Sequence, residues 1–164
     1  MRDFETELID AWLKTNGFLT RFGLPSIEGA SSIIASRTSN GVVENLHLEK
    51  KVRFIANSYL CGTPNVLERN EEEIKRHAIQ FVDKFFKSER LEQARNRAIA
   101  NADWICVLVV GEVRSAFEVE CLKELGIQII DFKEVVNHAI TNRSMLGTLS
   151  ETRRMLSVIN YLST

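Results

Sequence analysis

Apolar residues recur at helical spacing from the start of the chain. Leu8, Ile9, Trp12 and Leu13 form a stripe that predicts a helix over residues 3–15, stopped by Asn16-Gly17. Glu5 lies within the arc of that stripe, whereas Glu7 falls opposite, so one carboxylate is aimed at the core side. The pattern then shortens. Residues 18–24, closed by Pro25, and residues 31–36 are short apolar segments that predict two strands. Thr38-Ser39-Asn40-Gly41 follows as a turn, because Asn-Gly readily takes the positive φ angles of a tight hairpin. Residues 42–54 form a third strand with period-two alternation, sending Leu46, Leu48 and Val52 to one face and His47, Glu49, Lys51 and Arg53 to the other. Lys50 interrupts the apolar face and predicts a bulge or an exposed strand end.

Residues 56–69, with Cys61-Gly62-Thr63-Pro64, read as a loop. From Asn70 to about residue 102, Ile74, Ala78, Phe81, Val82, Phe85 and Phe86 trace the stripe of a long helix or helix pair. Residues 104–110 are apolar without interruption up to Gly111, the mark of a strand buried on both faces. A helix over residues 115–125 stops at Gly126, a buried strand spans 127–130, and Asp131 can cap a helix starting near Lys133. A last amphipathic helix is predicted over residues 149–162, with Met155, Leu156, Ile159 and Leu162 on one side and Arg153-Arg154 on its polar part. A hairpin-linked sheet continued through helical crossovers is a mixed α/β sandwich.

Composition narrows the class. The 164 residues are 45% hydrophobic and 26% charged, with 2 Pro and 8 Gly, which describes one folded domain without linker, repeat or low-complexity tract. Residues 4–132 form its core and 133–164 a C-terminal helical extension. With 21 Lys plus Arg against 22 Asp plus Glu, the net charge of −1 neither favours nor excludes nucleic acid, since a local basic face suffices for phosphates. Cys61, Cys106 and Cys121 include no C-x-x-C and meet no His pair at ligand spacing, which argues against a zinc site or a disulfide framework. The opening MRDFETELIDAWL has acids and a Trp where a signal peptide has basic and then apolar residues, and no stretch reaches the ~18 apolar residues of a span. A cytoplasmic protein with reduced thiols and no membrane partner is expected.

A helix, three strands, a helix and a strand, with an acid and a lysine two apart on the third strand, resembles the core of the PD-(D/E)XK nuclease-like superfamily, which includes restriction endonucleases. The resemblance covers residues 4 to about 110 and implies a restriction-endonuclease-like αβββαβ fold: a mixed central sheet flanked by helices, here with C-terminal helices added. In that family an acid on the first helix, an Asp opening the second strand and an E-x-K on the third converge on a divalent metal. Carboxylates hold a hard cation, the cation lowers the pKa of water and polarises phosphate, and the lysine orients water or stabilises charge. Phe4-Glu5-Thr6-Glu7-Leu8-Ile9 is similar to the helix motif, with Glu5 as its acid. Leu48-Glu49-Lys50-Lys51-Val52 is similar to the strand motif, with Glu49 as metal carboxylate and Lys51 as catalytic lysine. His47 and Arg53, on the same face, are candidates for phosphate contact.

The chain departs from the family at one place. Ser31-Ser32-Ile33-Ile34-Ala35 keeps the aliphatic pattern, but Ser32 stands where the aspartate belongs, 17 residues before Glu49. A neutral hydroxyl is a weak ligand for a hard cation. Either an acid from elsewhere substitutes, with Glu28 preferred over Glu44 as the second metal ligand, or the domain binds DNA without cutting it. Mg²⁺ or Mn²⁺ is implied only for the active version. Two other readings of the same residues stand beside this one: Glu5 as a helix N-terminal acid favoured by the macrodipole, and Glu-Lys-Lys as a solvated strand face.

Two further function classes remain. The section from Tyr59-Leu60-Cys61-Gly62 to Glu118 distantly resembles nucleoside deoxyribosyltransferases, in which a helix glutamate is the nucleophile; that resemblance implies Glu118 in the role. The plain account places Glu118 and Glu120 on the exposed side of a crossover helix. A non-catalytic module is the other class, with Phe85-Phe86, Met145, Met155, Leu156 and Tyr161 forming a homodimer interface or simply closing the core.

Overall fold

The computed structural model describes residues 3–22, 24, 32–64 and 67–142. The chain opens with helix α1 (Phe4–Thr15), whose N-cap Asp3 accepts a hydrogen bond from the Thr6 N–H at 2.9 Å. Leu8, Ile9 and Leu13 are fully buried along one stripe, and Gly17 (φ 82°) turns the chain out of the helix. Three antiparallel strands follow: β1 (Leu19–Phe22), β2 (Ile33–Ser39) and β3 (Val42–Lys51). Asn40 (φ 52°) and Gly41 (φ 76°) both adopt the left-handed conformation between the paired Ser39 and Val42, as a two-residue hairpin requires.

Helices α2 (Glu71–Phe85) and α3 (Glu89–Ala98) carry the chain to β4 (Ile105–Val110), which runs parallel to β3. Helix α4 (Ala116–Glu124) then leads to β5 (Gln128–Asp131), parallel to β4, and α5 (Phe132–Thr141) closes the described chain with Asp131 as its N-cap. The fold is α/β: the described residues form a five-stranded mixed sheet in the order β1-β2-β3-β4-β5 flanked by five helices. The predicted helix pair resolves into two helices; β1, β3 and β4 are shorter than predicted, whereas β2 starts two residues later and runs three further, and β5 is shifted by one residue. The predicted helix at 149–162 lies outside the described residues, as do Glu28 and the Met145, Met155, Leu156 and Tyr161 of the suggested interface.

The sheet has a core on each side. Helices α1 and α5 cover one face, where Leu8, Ile9, Phe132 and Val135 pack on Ile33, Leu46, Leu48, Val107 and Val109. Helices α2 and α4 cover the other at β4 and β5, packing Phe81, Phe85, Phe86 and Leu122 against Leu108 and Val110. Helix α3 completes that second layer over the hairpin through Leu91, Leu24 and Ile34. Phe85 and Phe86 therefore close this core and take no part in a surface between copies, which corrects the interface expectation for this pair.

No bulge marks Lys50. It pairs in continuous register with Val109, its side chain points to the α1 face, and β3 ends one residue later. Just beyond the sheet, Gly111 meets the outgoing strand so closely that a Cβ on it would stand 2.2 Å from the Arg53 carbonyl oxygen. The neighbouring Glu112 N–H donates to that same oxygen at 2.7 Å, which holds the ends of β3 and β4 together.

Candidate functional site

The pairing of Ile33 with Leu48 sets Ser32 and Glu49 opposite each other at the open end of the β2–β3 hairpin. Alternation then turns Ser32, His47 and Glu49 toward α2 and α3. All three are buried, at 3%, 0% and 5% exposure, although an ionisable strand face is ordinarily solvated. The Ser32 hydroxyl donates to Glu49 Oε1. His47 Nε2 lies 3.1 Å from the same oxygen, and Arg95 Nη1 lies 2.9 Å from His47 Nδ1. A guanidinium can only donate, so Nδ1 is the accepting nitrogen and Nε2 carries the proton that it donates to Glu49. The imidazole thus links a buried cation to a buried carboxylate. Arg95 Nη1 also donates to the Phe86 carbonyl at 2.8 Å, and the Phe86 ring meets His47 edge-on at 5.1 Å. Burying these charges is costly unless each is matched, and here each link of the chain is hydrogen-bonded.

Lys51 shares the Glu49 face but turns away from it. Its amine lies 5.8 Å from the Phe81 ring centroid and 5.4 Å from that of Phe85, a cation–π arrangement, and makes no ion pair with Glu49 among the described residues. It borders a cleft of about 390 Å³ together with Gly62, His77 and Gln80. Burial, with the Arg69 and Arg76 charges, holds the His77 imidazole below its ordinary pKa.

Four expected participants do not take the roles given to them. Glu5 lies across the sheet, 3.9 Å from the Lys50 amine, because α1 packs on the face opposite Glu49 and Lys51. Asp3 binds the same amine at 2.6 Å; partial burial pushes the Asp3 pKa up, but hydrogen bonds from Lys50 and Thr6 outweigh it and leave the group below its ordinary range. His47 is too deep for the phosphate contact expected of it. Arg53, the other candidate for that contact, instead spends Nη1 on the Ser58 hydroxyl and the Tyr59 carbonyl, tying down the loop after β3. Glu44, the lesser metal candidate, pairs with Arg37 on the α1 side of the hairpin.

Glu118 is neither on an exposed helix face nor a free nucleophile. It is 1% exposed, and its two oxygens accept the Leu60 and Cys61 N–H groups at 2.9 and 2.8 Å, while Glu120 is exposed. The Cys61 thiol beside it is pushed far above the ordinary range by burial and by the Glu118 charge. Arg69 fixes the other side of this loop, donating to the Cys61 and Thr63 carbonyls at 2.7 and 2.9 Å.

The Mg²⁺ or Mn²⁺ that the nuclease resemblance implies does not fit this donor set. Hard cations need several oxygen ligands, yet the described residues of the junction supply one carboxylate, whose Oε1 already accepts from Ser32 and His47. Among the described residues, no three of His, Cys, Asp and Glu are grouped to hold a metal.

Arg95 was the residue sequence reasoning missed. It falls between Leu91 and Ala98 on one helical stripe, so its spacing marked it for burial although its charge did not. Comparison of the chain with protein-family profiles, curated proteins and solved structures returns no match. Among the described residues, no helix is long and apolar enough to cross a membrane.

Proposed function

We propose that this chain is a nuclease-like DNA-binding domain in which the metal cleft has become a hydrogen-bonded polar core, so that it binds DNA without cutting it. The observation that carries the reading is the junction of Ser32 and Glu49. Two residues 17 apart meet side chain to side chain across adjacent antiparallel segments, in a helix, three-strand, two-helix, strand order. These are the positions at which the resembled nucleases gather a metal, and here a serine hydroxyl and a histidine N–H satisfy the carboxylate in its place. Lys51 remains at the rim of the same strand, with its amine beside an open cleft.

The test is a cleavage and binding assay of the native protein, Ser32→Asp and Glu49→Ala on duplex, branched and single-stranded DNA with Mg²⁺ or Mn²⁺. The native protein is expected to bind and leave the DNA intact. Cleavage gained only by Ser32→Asp would support a lost metal site. Cleavage by the native protein that disappears in Glu49→Ala would overturn the non-cutting reading, and absence of DNA binding would overturn the whole of it.

A further inference from the structure

A broad groove lies beside the candidate site rather than in it. A cavity of about 590 Å³ opens between the hairpin and α3, lined by Arg21 of β1, Arg90, Gln93 and Arg97 of α3, and a floor that includes Phe22 and Ile34. No carboxylate belongs to the lining among the described residues. Arg37, Arg53, Arg69, Arg95 and Arg114 all spend hydrogen bonds on the protein itself. Arg21, Arg90 and Arg97, by contrast, have no hydrogen bond or ion pair among the described residues. Three like charges lining one groove repel one another, and no opposite charge in the described lining offsets them.

We infer that this groove binds the phosphate backbone of a nucleic acid and guides it past Ser32 and Glu49. The inference rests on the DNA reading above for the identity of the polyanion. Arg90 and Arg97 are seven residues apart on one helix, which separates them by about 10.5 Å along its axis. That exceeds the reach of a single phosphate and equals about three steps of the 3.4 Å axial rise per nucleotide in one strand of B-form DNA. Arg21 adds a third donor from across the groove, and guanidinium forks are suited to bidentate phosphate contact. Ile34, on the groove floor, is two residues along the strand from Ser32 and on the same face, about 7 Å away. Gln93, also in the lining, spends its amide on Glu89 at 3.1 Å, which leaves the arginines as the phosphate donors, and contact with the backbone is insensitive to base order.

The experiment measures binding of the full chain to a duplex and to a single strand of two unrelated sequences over a series of salt concentrations. The Arg21→Gln/Arg90→Gln/Arg97→Gln variant is compared with Lys123→Gln, which changes an exposed charge on α4. Melting temperature checks that both variants remain folded. The triple variant is expected to lose at least about tenfold in affinity on both sequences, with the slope of log K against log salt falling by about 2.7 for duplex. Lys123→Gln should bind as the native protein does.

DNA binding with an unchanged affinity and slope in the triple variant overturns the groove and leaves the DNA reading standing. Failure of the native protein to bind any nucleic acid at low salt overturns both. Competition by inorganic tripolyphosphate separates the two sources of phosphate: displacement of DNA at micromolar tripolyphosphate would make a free polyphosphate the ligand and overturn the backbone assignment. Metal-dependent cleavage lost in Glu49→Ala, with the arginine effect intact, would overturn only the non-cutting part of the reading.

Discussion

Glu118 shows how little a residue type says about its role. Period and spacing put an acid on a helix beside a glycine-containing loop, which suits a nucleophile, but the fold uses both oxygens to hold two backbone N–H groups. Glu118→Ala is expected to destabilise the protein by about 3 kcal/mol, because two buried donors lose a charged acceptor together. It should also speed alkylation of Cys61, whose thiol is otherwise buried and held protonated. Urea denaturation and thiol labelling followed by mass spectrometry check the two effects; an unchanged urea midpoint would refute the tethering role. At this scale the sequence brought Ser32 and Glu49 together, as the structure does, but it expected Lys51 to act beside Glu49, from which its amine turns away, and it misplaced Glu5, His47 and Arg53. Alternation assigns a strand face correctly, yet burial depends on what packs above that face. Helix α3, whose covering role has no signature except the stripe containing Arg95, decides it.

At the scale of elements, the strands, hairpin turn and caps were legible because each depends on local chemistry. Asn40-Gly41 determines a turn, Asp131 determines a helix start, and residues 105–110 announce a strand covered on both sides. The break between α2 and α3 was not legible, since Phe86 continues the apolar stripe past the last helical residue. The end is made by tertiary structure: the Phe86 carbonyl, released from helical bonding, receives Arg95. Gly111 is the complementary case, a glycine whose reason appears only when β3 and β4 are side by side. Gly111→Ala is expected to cost about 3 kcal/mol or more, because its Cβ would press on Arg53 backbone atoms that cannot rotate away. An unchanged urea midpoint for this variant would show that the strand ends have room to part.

For the whole molecule, two cores on opposite faces share the strands between them, so neither layer can leave without exposing the other side of the sheet. Trp12 packs against the α1 and α5 core, and Trp104 against the cluster under α3. Fluorescence of Trp12 in a Trp104→Phe variant and of Trp104 in a Trp12→Phe variant should therefore report the same cooperative transition, once each midpoint is corrected for the stability of its variant. Separate transitions would mean that the two layers unfold independently. The order of strands has one more consequence. The two outermost strands have four residues each, about 13 Å of free backbone, shorter than the six or seven residues that stack into a steric zipper. Ile105-Cys106-Val107-Leu108-Val109-Val110, an uncharged run of that hazardous length, is paired along its whole length with β3 and from Val107 to Val110 with β5. This segment is thus kept from other chains by its place in the sheet, and any loss of stability that frees β5 makes it a template for aggregation.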